Sequence, residues 1–560
     1  MDLNIRVAGE AGQGVETMGG SLVDAFAGMG LHVFSTQTYM SRIRGGLNWY
    51  DVRIGDRELF SGREGTDLLV ALTPEALEHL RGDLTGGGLL LFNGDDGDGV
   101  VGIKLEEVAR ELTGQRVMAN TVAAGAVFAL LGYPVAELER QIEERFAHKG
   151  QEVVEGNRKC VRRGAELVGD RGGRLAAPKP AGAPKGICSG NEAVGLAAAT
   201  AGVKFASAYP MTPSTGVFTF LAGVADRYGM VVEQAEDEIA AVNMVCGAAY
   251  AGVPAMTMTS GGGFALMVEG LALAGMLELP ILIFLGQRPG PATGLPTRTA
   301  QQDLRFAIHA GHGEFPRAVL APGTPQQCYD LTRRGLELAH KYQSPVILLS
   351  DQYLADMRKN CTGLDESYRP INRYLLEEAP EDYVRYAVTD SGVSPRAAPG
   401  SAAFVVVDSD EHAEDGHITE DLEARVRLQD KRMRKQEGLL AEAVAPEWYG
   451  PRVAERILIC WGSTYGPCRE AVGLLNHNEH SIGMLHFSQV WPLEGATIRD
   501  LIGRCGPTKG RPKVLVVEAN ATGQFASLLR QVGAIEECEL VLRYDGRPFT
   551  GEEIARRVRS

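Results

Sequence analysis

Three consecutive acids, Glu236, Asp237 and Glu238, precede the run IAAVNMVCGAAY at 239–250, which carries no charge. Acids at a helix start complement the positive end of the helix dipole, and that alone would account for them. Glu238, however, is joined directly to a helix of small and apolar residues that must be buried. Its carboxylate is thereby set in a low-dielectric site, a candidate for acid–base chemistry. About twenty-five residues earlier, SAYPMTPSTG at 207–216 gathers the hydroxyls of Thr212, Ser214 and Thr215 around Pro210 and Pro213. The proline rings fix φ and stiffen that turn.

Two further segments hold groups suited to an anionic ligand. Ser260 lies in TSGGGFALM, and Arg288, Thr293, Thr297 and Arg298 lie in LGQRPGPATGLPTRTAQQDL. A guanidinium fork fits a carboxylate or phosphate. Any one of these arginines alone would serve equally well in a surface ion pair.

The elements that must position these residues are strands. KFASA, MVVEQ, PAMTMTS and PILIFLGQ alternate with helical stretches, and SPVILLSD closes the series. Such alternation predicts a doubly wound α/β domain over 187–360, whose ligands bind beyond the carboxyl ends of the strands. Four polar or glycine-rich loops at one sheet edge make a site there.

Residues 1–168 show a similar alternation and are expected to form an α/β domain with a largely parallel sheet. GDRGGRLAAPKPAGAPKG at 169–186 reads as a semi-extended linker. Residues 361–450 lose the alternation and gain charge, with an acidic loop before a charged helix. A third α/β unit, 451–560, runs from RILICWGSTYG through KVLVVEAN to CELVLRYDGRPFT.

Other motifs are weaker. The loop Gly9-x-x-Gly12-x-Gly14 follows a strand, but its spacing differs from the G-x-G-x-x-G of dinucleotide folds, so a tight structural turn is expected. Were it to hold a nucleotide, the chain would be an electron-transfer module. GDGVVG at 97–102, with Asn120 beyond it, has a spacing too short for a Mg²⁺–diphosphate site. The acidic stretch from Asp408 through Glu411, His412, Asp415 and His417 reads as a solvated face. No metal site is expected in this chain.

The 560 residues carry a net charge of −15, which disfavours nucleic acid or an anionic membrane surface as a partner and suits small molecules and proteins. Nine dispersed cysteines without a C-x-x-C pair read as reduced thiols. Cys246, Cys460 and Cys468 are expected in the core. The N-terminal MDLNIRVAGEAGQG lacks signal-peptide features and no apolar window reaches membrane-spanning length, so a cytoplasmic protein is expected.

YPMTPSTG, AEDEIAAVNMVCGAAYAG, TSGGGFALMVEGL and GQRPGPATGLPTRTAQQDL, in that order, resemble the alpha subunit of 2-oxoacid:ferredoxin oxidoreductases, most of all the 2-oxoglutarate type. The resemblance continues through GVSPRAAPG, DEHAEDGHITED, DKRMRK, WGSTYG, VWPL, VEANATGQ and YDGRPFT. GEAGQGVETMGG and SRIRGGLNWYDVRI are similar to the gamma part of the family, fused ahead of the alpha part.

The resemblance implies a gamma-type domain, a thiamine pyrimidine-binding domain and a transketolase C-terminal-like domain. It implies oxidative decarboxylation of 2-oxoglutarate with coenzyme A to succinyl-CoA and CO₂, electrons passing to ferredoxin; the reverse direction fixes carbon. Thiamine diphosphate is shared with a beta subunit, which supplies Mg²⁺ and a 4Fe-4S cluster in an (alpha–beta)₂ assembly. Glu238 corresponds to the glutamate that bonds N1′ of the pyrimidine and favours the imino tautomer, with Tyr209, Pro210, Ser260 and Gly261 also against the cofactor. Thr212 and Arg288 correspond to groups on the substrate carboxylate, with Ser214 nearby, and Arg298 is the candidate for the distal carboxylate. Pyruvate or a branched-chain or aryl 2-oxoacid is the alternative substrate. TSGGG departs from the Gly-Pro of many relatives, which bears on local rigidity only.

Overall fold

The computed structural model describes residues 1–40, 45–180, 182–183, 185–476, 481–507 and 510–559. Residues 41–44, which open the SRIRGG motif, and 181 and 184 of the proline-rich segment lie outside the described residues. The chain forms two compact units, Met1–Cys188 with Asp356–Thr362, and Ser189–Ala355 with Gly363–Ser560.

In chain order the strands are β1 Asp2–Glu10, β2 His32–Thr38, β3 Leu47–Gly55, β4 Thr66–Ala71, β5 Leu84–Phe92, β6 Val101–Gly102 and β7 Gly186–Ser189. There follow β8 Phe205–Ala208, β9 Val231–Gln234, β10 Ala255–Ser260, β11 Ile281–Gln287, β12 Ala318–Leu320, β13 Val346–Asp351 and β14 Arg358–Cys361. The last are β15 Glu447–Tyr449, β16 Arg456–Trp461, β17 Ile482–Phe487, β18 Gln489–Trp491, β19 Lys513–Glu518 and β20 Glu539–Leu542.

The first unit holds an eight-stranded sheet in the order β6-β5-β4-β1-β3-β2-β14-β7. Its sheet is not largely parallel as the alternation suggests. β1, β4, β5 and β6 pair in parallel, but β3 runs antiparallel to β1 and β2, and β14 antiparallel to β2. The cause is local: β2 ends at Thr38 and β3 begins at Leu47, a link too short for the long crossover that a parallel pair requires. Ile5, Val7, Phe26 and Phe128 lie in its core, the two phenylalanine rings stacked at 5.0 Å. The Gly9–Gly14 loop is a tight turn: Gln13 Oε1 accepts from Glu10 N at 2.8 Å, and Asn120 Nδ2 donates to Gln13 O at 2.6 Å.

Two expectations change in this unit. Residues 356–360, read as the end of the second domain, and 361–362, read as the start of the charged region, belong to the first unit because β14 joins its sheet. The cysteines are not all free thiols, for Cys188 on β7 and Cys361 on β14 form a disulfide. Adjacent strands bring together residues 173 apart in sequence.

The second unit holds a seven-stranded sheet, β18-β12-β13-β11-β10-β8-β9, and a five-stranded sheet, β15-β17-β16-β19-β20. The pairings from β12 through β9 are parallel, and β10, β11 and β13 are buried at every residue, as strands covered by helices on both faces must be. β18 leaves the C-terminal region to pair antiparallel with β12. One apolar core, including Ile283, Val319, Ile347, Ile459, Leu485 and Val490, runs through both sheets. Cys246, Cys460 and Cys468 are buried.

The acidic stretch is a solvated face only in part: Asp410, Asp415 and His417 are exposed, but Glu411 and His412 turn inward. His412 is fully buried, its ring 3.9 Å from that of Tyr386, and Glu411 accepts two hydrogen bonds from Arg432 Nη2 at 3.0 and 2.9 Å. The charged helix behind it, Leu422–Ala441, buries Lys431, Arg432 and Lys435. Packing against the seven-stranded unit takes these side chains out of water.

Candidate active site

The site grows from four loops that follow β8, β9, β10 and β11. After β8, Pro210 and Thr212 are half-buried and Tyr209 is 41% exposed, while Ser214 is buried. Ser214 does not offer its hydroxyl outward, since Oγ donates to Met211 O at 2.6 Å. Asn191 Nδ2 donates to Pro213 O at 3.1 Å, so the turn is held from the helix Gly190–Thr200. The Thr212–Pro213 peptide is cis.

After β9 the three acids separate in role. Asp237 is the N-cap of the helix Glu238–Tyr250, its side chain accepting from Ala240 N at 2.7 Å. Glu236 is exposed. Glu238 takes no part in capping. It is 3% exposed, and its Oε1 is buried with no hydrogen-bond partner among the described residues. A carboxylate oxygen in that condition costs free energy unless a ligand satisfies it.

After β10, Ser260 precedes the short helix Gly261–Leu266, and its buried Oγ likewise has no partner among the described residues. The glycines here are spacers. A Cβ on Gly263 would fall 2.5 Å from Glu238 Oε1, and one on Gly261 would fall 2.5 Å from Asp303 Oδ2. Two carboxylates therefore lie against one glycine-rich turn, two residues apart.

After β11, Arg288 is half-buried and donates from Nη1 to Thr212 O at 3.0 Å. Gln287 fixes the return of the loop, its Nε2 donating to Ser350 O at 3.1 Å and its Oε1 accepting from Asp303 N at 2.9 Å. Burial pushes the Asp303 carboxyl up to about 6, against the opposing pull of the Arg288 charge. Burial also lowers Arg288 from its usual range, with Asp303 acting in the other direction.

Thr212, Glu238, Ser260, Gly261 and Arg288 are thus linked through contacts within one unit. Arg298 packs against the C-terminal YDGRPFT loop: a Cβ on Gly546 would lie 3.0 Å from Arg298 Cβ, and Thr299 N donates to Gly546 O at 3.1 Å. Burial and the neighbouring Arg547 charge both lower Arg298. The same loop is tied to the five-stranded sheet by Gln301, which accepts from Ala519 N at 3.0 Å and donates to Trp461 O at 2.8 Å.

Asp303 is the site residue that sequence reasoning passes over. It stands just before Leu304, where an aspartate reads as a helix N-cap, yet its side chain makes no capping bond to the helix Leu304–His309. Its placement in the same loop as Arg288 is the one signal that would have found it.

A buried carboxyl oxygen without a partner among the described residues can present a proton to a ligand or accept one from it. The family model for the thiamine diphosphate-binding part of pyruvate flavodoxin/ferredoxin oxidoreductase matches residues 196–431, and a second, for pyruvate ferredoxin/flavodoxin oxidoreductase, matches 4–167. The 2-oxoacid:ferredoxin oxidoreductase 2 subunit alpha of Aeropyrum pernix is 30% identical over 635 residues, spanning 100% of this chain and 97% of its own. The chain belongs to the 2-oxoacid:ferredoxin oxidoreductase family, among its alpha subunits.

Within that family, the 2-oxoglutarate oxidoreductase subunit KorA of Mycobacterium tuberculosis is 29% identical, covering 99% of this chain and 91% of its own. A solved 2-oxoglutarate:ferredoxin oxidoreductase from Magnetococcus marinus, with 2-oxoglutarate, coenzyme A and succinyl-CoA bound, is similar at a TM-score of 0.90 and 34% identity. That match covers 100% of this chain and 99% of the other. Thr212, Glu238, Ser260, Arg288 and Asp303 all fall inside the thiamine diphosphate-binding match. No helix among the described residues is long and apolar enough to cross a membrane.

Proposed function

We propose that this chain is the alpha subunit, with a gamma-type N-terminal part, of a cytoplasmic thiamine diphosphate-dependent 2-oxoglutarate:ferredoxin oxidoreductase. The reaction converts 2-oxoglutarate, coenzyme A and oxidised ferredoxin to succinyl-CoA, CO₂ and reduced ferredoxin, and runs in reverse when reduced ferredoxin drives it. The supporting observation is the buried Glu238 Oε1 without a partner among the described residues, set in a chain whose whole length resembles an enzyme solved with 2-oxoglutarate and coenzyme A bound.

Thiamine diphosphate, when bound, supplies the carbon nucleophile and the electron sink for decarboxylation. With the cofactor bound, Glu238 would hold a proton at Oε1 for its ring nitrogen, and the apolar helix behind it would keep water from competing. Ser260 Oγ, Gly261, Tyr209 and Pro210 would complete this chain's contacts with the cofactor. Thr212 donates its hydroxyl to the substrate carboxylate, and Arg288, tied to the Thr212 carbonyl, brings a positive charge to it. Ser214 acts indirectly, by bracing the turn through Met211. Arg298 is assigned to the distal carboxylate of 2-oxoglutarate. A separate beta subunit contributes the diphosphate site with Mg²⁺ and a 4Fe-4S cluster, in an (alpha–beta)₂ assembly.

The test is reconstitution with the beta chain and measurement of coenzyme A-dependent ferredoxin reduction. We expect kcat/KM for 2-oxoglutarate to exceed that for pyruvate and for branched-chain or aryl 2-oxoacids. A preference for any of those would replace the substrate, and no turnover of any 2-oxoacid would overturn the reading.

A further inference from the structure

The site contains one charged group that the proposed chemistry does not use. Asp303 lies on the loop between β11 and the helix Leu304–His309, its backbone N held by Gln287 Oε1 at 2.9 Å. Its Oδ2 is buried, has no hydrogen-bond partner among the described residues, and lies 2.5 Å from where a Cβ of Gly261 would be. It is the charged neighbour that acts on Arg288, and Arg288 acts on it in return. The coupling between them is electrostatic across the site.

We propose that Asp303 is a positioning residue that sets how much of the Arg288 charge is available to an incoming substrate carboxylate. The inference rests on the functional reading above, in which Arg288 meets that carboxylate. An ionised Asp303 already offsets the Arg288 charge, and a second carboxylate brought to the same guanidinium meets like-charge repulsion in a poorly hydrated space. Binding of the oxoacid anion is then favoured when Asp303 takes a proton from solvent. No bond to carbon is made or broken in this step, and the proton returns to solvent when the anion leaves.

The other ionisable groups around Asp303 do not substitute for it. Glu238, on the helix Glu238–Tyr250, faces Gly263 on the same turn and belongs to the cofactor side. Asp351, which pairs with Gln287 in register, is bonded to Thr299 Oγ1 and Leu354 N. Arg305, next on the helix, is exposed. Gln524, which packs on this loop from the helix Gln524–Gln531, is neutral.

The sign follows from linkage. With its carboxyl near 6, Asp303 is neutral below that pH and ionised above it. Substrate binding raises the proton affinity of Asp303 further, so anion affinity falls as pH climbs through 6, by up to about tenfold per unit.

The experiment uses the full alpha–beta complex. KM for 2-oxoglutarate is measured from about pH 5.5 to about pH 8, either side of the carboxyl's titration, and calorimetry of 2-oxoglutarate binding in two buffers of different ionisation enthalpy counts the protons taken up. We expect wild-type KM to rise with pH and a fraction of a proton to be absorbed per oxoacid near neutral pH. Asp303→Asn, and separately Asp303→Ala, should flatten the KM profile, lower KM at the alkaline end toward the wild-type value at the acid end, and abolish the proton uptake. A merely structural residue would lower kcat or stability and leave the slope. Wild-type enzyme without a slope, or Asp303→Asn with the wild-type slope, overturns the inference while the functional reading stands. Absence of binding or turnover of any 2-oxoacid overturns the functional reading, and the inference with it.

Discussion

At the scale of single residues, Glu238 and Asp237 show how neighbouring acids divide labour. Asp237 is used up by the helix N-terminus, which frees Glu238 to be buried with an oxygen unsatisfied. That oxygen is worth keeping only if something bonds it. Glu238→Gln keeps the shape and removes the proton-holding oxygen, so we expect the complex to assemble while activity falls on the order of 10²–10⁴-fold. Exchange of the cofactor C2 proton, followed by NMR, should slow in parallel; exchange at the wild-type rate would remove Glu238 from that role. Thr212→Val deletes one hydroxyl from a turn whose backbone Arg288 still holds. Leaving a substrate carboxylate oxygen unpaired costs about 1–3 kcal/mol, roughly 5-fold to 150-fold in kcat/KM. The loss should appear for the oxoacid and not in the KM for coenzyme A.

At the scale of elements, the glycine-rich turn after β10 decides where both carboxylates sit. A Cβ at Gly263 would lie 2.2 Å from Thr259 Oγ1 and 2.5 Å from Glu238 Oε1, both buried and unable to yield cheaply. Gly263→Ala should displace the Glu238 carboxyl and lower kcat on the order of 10²-fold, since misplacement by about an ångström has that scale of effect. Gly262, whose added Cβ would meet nothing within 4 Å, is the control, and Gly262→Ala should be near neutral in kcat. Equal losses at both positions would mean that the helix Gly261–Leu266, not Glu238 placement, is at fault. The sequence made the strands and loops here readable because β11 is an unbroken apolar run ending in Gly-Gln, and β10, AMTMTS, is rich in β-formers and ends before three glycines. It could not separate TSGGG as spacer from TSGGG as ligand loop, because that depends on what lies opposite each glycine. Asp303 was hidden for the same reason: a cap and a site carboxylate are spelled alike. In the N-terminal sheet the parallel reading failed at β2 and β3, where a link too short for a crossover was the available sign.

At the scale of the whole molecule, the charged region between the second and third α/β parts is an internal strut whose role composition conceals. Glu278, at φ 53° after the helix Val268–Met276, is 1% exposed and accepts from Lys431 Nζ at 2.7 Å and from Lys435 Nζ. Lys435 Nζ also reaches Gln343 O at 3.2 Å, and Arg385 Nη2 donates to Glu278 O at 3.1 Å. The Glu278 carboxylate thus fastens the helix Leu422–Ala441, and its backbone carbonyl the segment around Arg385, to the part of the chain that carries the active site. Burial alone would raise the Glu278 carboxyl, but Lys435, Lys431 and Arg385 together hold it far below the usual carboxylate range. A depressed folded value contributes stability above the unfolded pKa of about 4.3 and loses it as pH falls below that. Wild-type unfolding temperature should therefore decline on acidification below about pH 4, the window set by that unfolded carboxyl. Glu278→Ala leaves two ammonium groups buried without their counter-charge, at a cost of about 3–5 kcal/mol, whereas adding Lys431→Met and Lys435→Met to it should recover much of the loss. Thermal unfolding of the wild-type, single-variant and triple-variant chains near neutral pH decides the point, because an unrecovered triple variant would mean that the cluster is held by shape and not by charge.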